Sequence, residues 1–232
     1  MDIVYLVRPG ELNEELRWSL RSLTNLPHDR VWVAGHKPAW VTNVGHIPTT
    51  QTARKHANAY GNMRAALAHP DVSERFILFN DDFYVTAPTP HLPTLRRGRL
   101  ADVIADYRSR FPHGSLYIEH MQATHDWLLE QGIPEPLSYE LHAPMVMEKQ
   151  PLIDLFTKAE LDGVDVTRMH YRTAYGNLAG VGGDYSEDCK VYRRDTVPLP
   201  TPFASTHDGT FTYGAIGRAI RRAFTSPGCY EV

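Results

Sequence analysis

Two adjacent carboxylates, Asp81 and Asp82, follow Asn80 directly after an unbroken apolar run, Phe76-Ile77-Leu78-Phe79. Such a run reads as a strand buried on both faces, the kind found inside a parallel sheet. Open α/β sheets bind ligands just beyond the carboxyl ends of their strands. Two ionised carboxylates placed there side by side repel each other and lose hydration. A divalent cation relieves both penalties, and magnesium or manganese takes oxygen ligands while leaving positions for phosphate. The competing reading is a turn or helix cap, and the place after the strand favours the cation.

Other residues could join this chemistry. Arg17 and Arg21 lie four apart in a helical pattern and share a face. A guanidinium suits bidentate phosphate contact, with surface ion pairing as the alternative. His142 precedes Ala143-Pro144 in a loop-like setting, where an imidazole can take a proton from a hydroxyl. Asp208 precedes Gly209, so a turn competes with a ligand role. His46, His120 and His125 are not expected to bind metal, because the spacing from His120 to His125 suits no single helical face.

The elements that would position these groups begin with a short apolar strand at 2–7 that stops at Arg8-Pro9-Gly10. Residues 11–23 carry Leu12, Leu16, Leu20 and Leu23 on one helical face, with acidic residues in the first turn. A second apolar strand follows at 30–34, and this β-α-β opening favours parallel strands and a right-handed crossover. A short third strand is expected within 40–47 and a helix over 52–68. Helices are expected at 100–110, 116–131 and 152–161, a weaker one at 166–177, and a last one at 213–224. A strand is expected at 187–193. The fold class is therefore α/β, a mostly parallel sheet flanked by helices, in a single domain over 1–232. The middle stretch, about 96–163, could form a small helical insert.

Composition narrows the function. The 232 residues are 42% hydrophobic, enough for a continuous core, and 22% charged with a formal net charge of −3. The chain as a whole is not a polybasic nucleic-acid binder, though a local basic patch stays open. No apolar run approaches the roughly 18–20 residues of a membrane span. The first segment is too short for a signal-peptide core. Cys189 and Cys229 have no CxxC partner and read as free thiols, which points to a reducing, cytoplasmic setting.

Several stretches resemble the Stealth family of sugar-1-phosphate transferases. EELRWSLRSL at 14–23 resembles its "ELRYSLRSI", VSERFILFNDDF at 72–83 its "LSEHFLYFNDDMF", and DIVY at 2–5 the start of its "DIVYTWVNG". Weaker matches follow in the family's order: His142 in Leu141-His142-Ala143-Pro144, Arg172 in a helical stretch, the run Phe203 to Asp208, and the closing residues Phe224 to Glu231. LVRPG at 6–10 departs from the family's "TWVNG", and the usual "LPTFNS" is replaced near Ala59-Tyr60-Gly61-Asn62-Met63.

The resemblance implies a GT-A/Rossmann-like fold and a nucleotide-diphosphate-sugar donor, a UDP-sugar first. It implies Mg2+ or Mn2+ on Asp81 and Asp82, and donor contacts from Arg17, Arg21, Asn62 and Asn80. It implies catalytic roles for His142 as base, Arg172 as phosphate-stabilising cation, and Asp208 as a further ligand or base. The transferred group would be sugar-1-phosphate, with nucleoside monophosphate leaving. The acceptor hydroxyl could belong to a glycan, a protein, a lipid-linked sugar or a nucleic acid. Two alternatives stay open: a metal-dependent glycosyltransferase that releases nucleoside diphosphate, and a non-catalytic nucleotide-sugar or glycan-binding protein.

Overall fold

A computed structural model describes residues 1–195 and 198–232. In chain order the elements are β1 (Asp2–Val7), α1 (Glu14–Ser22), β2 (Val31–Gly35), β3 (Gly45–Ile47), α2 (Lys55–Ala68), β4 (Arg75–Asn80), β5 (Phe83–Val85), β6 (Leu95–Arg96), α3 (Leu100–Arg110), α4 (Leu116–Glu130), β7 (Met145–Glu148), α5 (Lys149–Leu161), α6 (Tyr171–Leu178), β8 (Asp184–Tyr185), β9 (Phe203–Ser205), α7 (Asp208–Tyr213) and α8 (Ala215–Ala223). They fall into two compact units. The first comprises Met1–Leu92, His142–Glu148 and Cys189–Val232, and the second Pro93–Leu141 and Lys149–Asp188.

The first unit is built on a five-stranded sheet in the order β3-β2-β1-β4-β7. The first four strands are parallel, and β7 runs antiparallel on the β4 edge. This is a mixed α/β arrangement compatible with a Rossmann-like fold. β1 and β2 are buried along their whole lengths, and Phe76 to Phe79 of β4 are buried between β1 and β7, as a continuous apolar run requires. The chain leaves β1 toward β2 through α1, and returns from β3 to β4 through α2. Right-handed crossovers in opposite directions place the two helices on opposite faces. β1 and β4 thus flank the point where the connections reverse, the place beyond whose carboxyl ends open α/β sheets bind ligands.

The second unit is mainly helical. α3 and α4 share an apolar seam of Leu100, Val103, Ile104, Ile118 and Met121. Asn177 of α6 accepts from the Leu137 amide at 2.8 Å and donates to the Leu137 carbonyl at 2.7 Å. A two-stranded parallel pair, β6 with β8, completes it.

Two sequence expectations need correction. The strand expected at 187–193 is reduced to one bridge between Lys190 and Ser205, because only Val191 turns inward while Tyr192, Arg193 and Arg194 are exposed. The helix expected at 213–224 is α8, set off by the extended backbone of Gly214 from α7, which was not anticipated. That expected at 166–177 is a 3-10 turn, Val166–Arg168, followed by α6. β7 was not anticipated, since four residues with alternating burial carry almost no periodic signal.

Candidate functional site

The end of β1 delivers Arg8, and the end of β4 delivers Asp81 and Asp82. Between β1 and β2, α1 starts on Asn13, which holds a left-handed backbone at φ 26°. Asparagine tolerates that region better than most side chains. Its side chain does two jobs: its oxygen accepts from the Leu16 amide at 3.2 Å, and its Nδ2 donates to Asp81 Oδ2 at 3.0 Å. The cap that starts α1 therefore also ties the helix to the acidic pair.

Glu15, in the first turn of α1, lies deep in the same region. Its Oε1 accepts from Thr206 Oγ1 at 2.8 Å and its Oε2 from Arg8 Nη2 at 3.0 Å. Arg8 also places Nε 3.5 Å from Asp81 Oδ2 and Nη2 2.6 Å from Asp208 Oδ1. On the other side, Asp82 Oδ2 accepts from Lys190 Nζ and from Ser205 Oγ, each at 3.0 Å. Four carboxylates thus face two side-chain cations, a formal surplus of two negative charges when all are ionised. The floor is buried, with side-chain exposures of 6% for Glu15, 12% for Asp81 and 14% for Asp82, while Asp208 at 73% forms the rim.

The electrostatics follow from that gradient. Burial, followed by the charges of its acidic neighbours, pushes Glu15 up to about 8. Burial and Asp82 also raise Asp81, and Arg8 and Asn13 offset part of this. At the rim the hydrogen bond from Arg8 holds Asp208 below the usual carboxylate range. Burial works against the Arg8 charge, but Asp208, Asp81 and Glu15 outweigh it and keep the guanidinium protonated.

The structure brings together Asp81, Asp82 and Asp208 from the residues expected by sequence. Asn80 ends β4 opposite Leu6 of β1. Asn62 of α2 is buried beside the ends of β1 and β2: its Nδ2 reaches the Val7 carbonyl at 3.4 Å, and its Oδ1 accepts from Gln51 at 2.9 Å. Gly35 leaves no room there, because a Cβ would lie 2.3 Å from the Val7 carbonyl oxygen and 2.5 Å from Asn62 Nδ2. His142 turns its ring edge-on to Phe83, the neighbour of Asp82, with centroids 6.4 Å apart. Its carbonyl accepts from the Cys189 thiol, the neighbour of Lys190, at 2.9 Å.

Three expected residues are placed differently. Arg21 binds Glu231 through Nε at 2.6 Å and Nη2 at 2.9 Å, and donates to the Phe224 and Thr225 carbonyls at 3.1 and 3.2 Å. Arg17 lies over the Trp40 ring at 4.4 Å and 3.5 Å from Glu231. Both are engaged with the C-terminal segment. Arg172 is buried on α6 of the second unit and is not among the residues gathered in the first.

Sequence reasoning missed Arg8, Glu15 and Lys190. The rule that singles out Asp81 applies equally to Arg8, the first polar residue after β1, although Arg8-Pro9-Gly10 also reads as a turn. Glu15 fits a dipole-stabilising place in the first turn of α1, and nothing local marks Lys190.

Among the described residues, no group of three or more His, Cys, Asp or Glu side chains is arranged to hold a metal ion. The donor chemistry nonetheless suits a hard divalent cation, because every anion of the group is a carboxylate. Asp81 and Asp82 could hold it, in competition with Arg8 and Lys190. Compared with known proteins, the sequence matches no family model and no curated protein.

Proposed function

We propose that the first unit is the donor-binding core of a nucleotide-sugar transferase that moves sugar-1-phosphate to an acceptor hydroxyl. The observation that carries this reading is the meeting of Arg8, Glu15, Asp81, Asp82, Lys190 and Asp208 beyond the carboxyl ends of β1 and β4. Isolated fold-stabilising ion pairs do not require four carboxylates in one cluster. The ordered resemblance of residues 2–5, 14–23 and 72–83 to the Stealth family supports the same reading and brings with it a GT-A-like fold.

The acceptor oxygen attacks the sugar-proximal phosphorus of the donor, a new phosphorus–oxygen bond forms, and the bond to the departing nucleoside monophosphate breaks. His142 takes the acceptor proton. Magnesium or manganese, held by Asp81 and Asp82, would neutralise charge on the diphosphate. Asn62 and Asn80 flank the donor. Arg172 belongs to the second unit, and the reading of the first does not draw on it.

UDP-sugars incubated with the protein and Mn2+ should yield UMP, detected by chromatography. Release of UDP instead would establish ordinary glycosyl transfer. With neither product from a broad donor panel, and no binding of the donors, the transferase reading falls. Asp82→Ala should abolish turnover and leave the protein folded.

A further inference from the structure

Arg8 differs from Arg21 and Arg30 of the first unit in how it is held. Arg21 is fixed by both oxygens of Glu231, by two backbone carbonyls and by the face of Trp18 at 4.7 Å. Arg30 is fixed by Asp2, the Asp71 carbonyl and the face of Trp32. Among the described residues the partners that hold Arg8 are carboxylates, those of Glu15, Asp81 and Asp208, and its side chain is 47% exposed. Its place depends on anions that another cation can also take.

A divalent ion on Asp81 would lie beside the guanidinium, and the repulsion between the two cations weakens the hold of each on that carboxylate. A guanidinium released beside an incoming diphosphate has a matched partner, because its fork fits two phosphate oxygens. We infer that Arg8 is a resident cation that balances the carboxylates while the site is empty, competes with the divalent ion for Asp81, and passes to the donor diphosphate when ion and donor bind. This rests on the donor-site reading above. It makes ion and donor binding cooperative: the ion releases Arg8, and the donor gives it a new anion. Linkage requires the same factor in both directions.

The test measures Mn2+ affinity by electron paramagnetic resonance, with and without UDP, for the wild-type protein, Arg8→Gln and Arg8→Lys, with thermal melts to establish folding. Without UDP, Arg8→Gln should bind Mn2+ about tenfold more tightly than wild type, since the competing charge is gone. UDP should tighten Mn2+ binding to both proteins, because the ion also meets the diphosphate, and to wild type at least about threefold more than to Arg8→Gln. Arg8→Lys keeps the charge without the fork, so its Mn2+ affinity without UDP should be near wild type and its coupling reduced. Folded Arg8→Gln with unchanged or weaker Mn2+ affinity, or with full UDP coupling, would overturn the inference and leave the donor site standing. Absence of Mn2+ binding in all three proteins, even with saturating UDP, would remove the donor-site reading and this inference with it. If Arg8→Gln fails to fold, the same comparisons on Arg8→Lys decide.

Discussion

Replacing Arg21 by methionine separates two roles for an arginine that the sequence offered as a donor contact. Its guanidinium and Glu231 are only 11% and 6% exposed. Breaking a well-buried ion pair by deleting one partner costs about 3–5 kcal/mol. Here Glu231 keeps a second guanidinium, Arg17 at 3.5 Å, so the cost of Arg21→Met should lie at the low end, about 3 kcal/mol. For a domain of this size that lowers the melting temperature by roughly 6–12 °C. Urea titrations of Arg21→Met, Glu231→Gln and the double variant should give a coupling energy of about 2 kcal/mol. Burial alone would raise the Glu231 carboxyl, but Arg21, the Gly228 amide and Arg17 outweigh it and hold it below its ordinary value. The clasp is therefore complete above the ordinary carboxylate range and is lost as pH falls through the depressed folded value. Wild type should lose more stability than Glu231→Gln on acidification. The donor KM of Arg21→Met should stay near wild type. An unchanged urea midpoint with a tenfold higher donor KM would refute the reasoning and return Arg21 to the donor site.

Three further outcomes are expected. Glu15→Gln should lose transferase activity yet melt no lower than wild type at pH 8, because the amide removes a buried charge; since the folded carboxyl sits near 8 against an ordinary 4.5, its advantage should grow from pH 5 to pH 8 in parallel melts. Asp2→Ala should destabilise by about 2–4 kcal/mol in urea, because it strands the buried Trp32 indole N–H and removes the partner of the half-buried Ser73 amide and of Arg30; those bonds outweigh burial and lower the Asp2 carboxyl, so the wild-type advantage should fade only as pH drops below the ordinary range. Gly35→Ala, at φ +107° with no space for a Cβ, should cost about 2–4 kcal/mol in the same assay and weaken donor binding through Asn62.

The strands were legible because burial writes itself directly into composition. Phe76 to Phe79 are apolar throughout, and the alternation of strand and helix from Asp2 to Ala68 leaves few topologies. Helix ends were less so. Leu12 fitted an apolar stripe but is 80% exposed, because Asn13 caps α1 one residue later. The acidic pair could be found from its place after a strand. Its cations could not, since Lys190 reaches Asp82 across 108 positions by a pairing no local pattern encodes. Arg21 shows the converse: its place in a motif suggested phosphate, and a tertiary partner 210 positions away took it instead.

The three-residue ladder between β5 and β9 sets the tolerance of the whole cluster. Phe83 stands opposite Ser205, which lets Ser205 reach Asp82 on one side of the ladder, while the next residue, Thr206, reaches Glu15. A slip of one residue would turn every side chain of β9 to the opposite face. Asp82 would then lose the Ser205 hydroxyl, Glu15 the Thr206 hydroxyl, and Asp208 its place at Arg8, although the parallel sheet would be intact. Three backbone pairs alone give little protection against such a shift. The hydrogen bonds that lock the ladder from its ends, Thr86 N–H to the Pro202 carbonyl at 2.8 Å and the 3.1 Å contact between the Tyr84 and Thr206 hydroxyls, act as register pins. Chains that differ in those two bonds alone would fold to the same architecture and differ in what fraction of molecules carries a complete site.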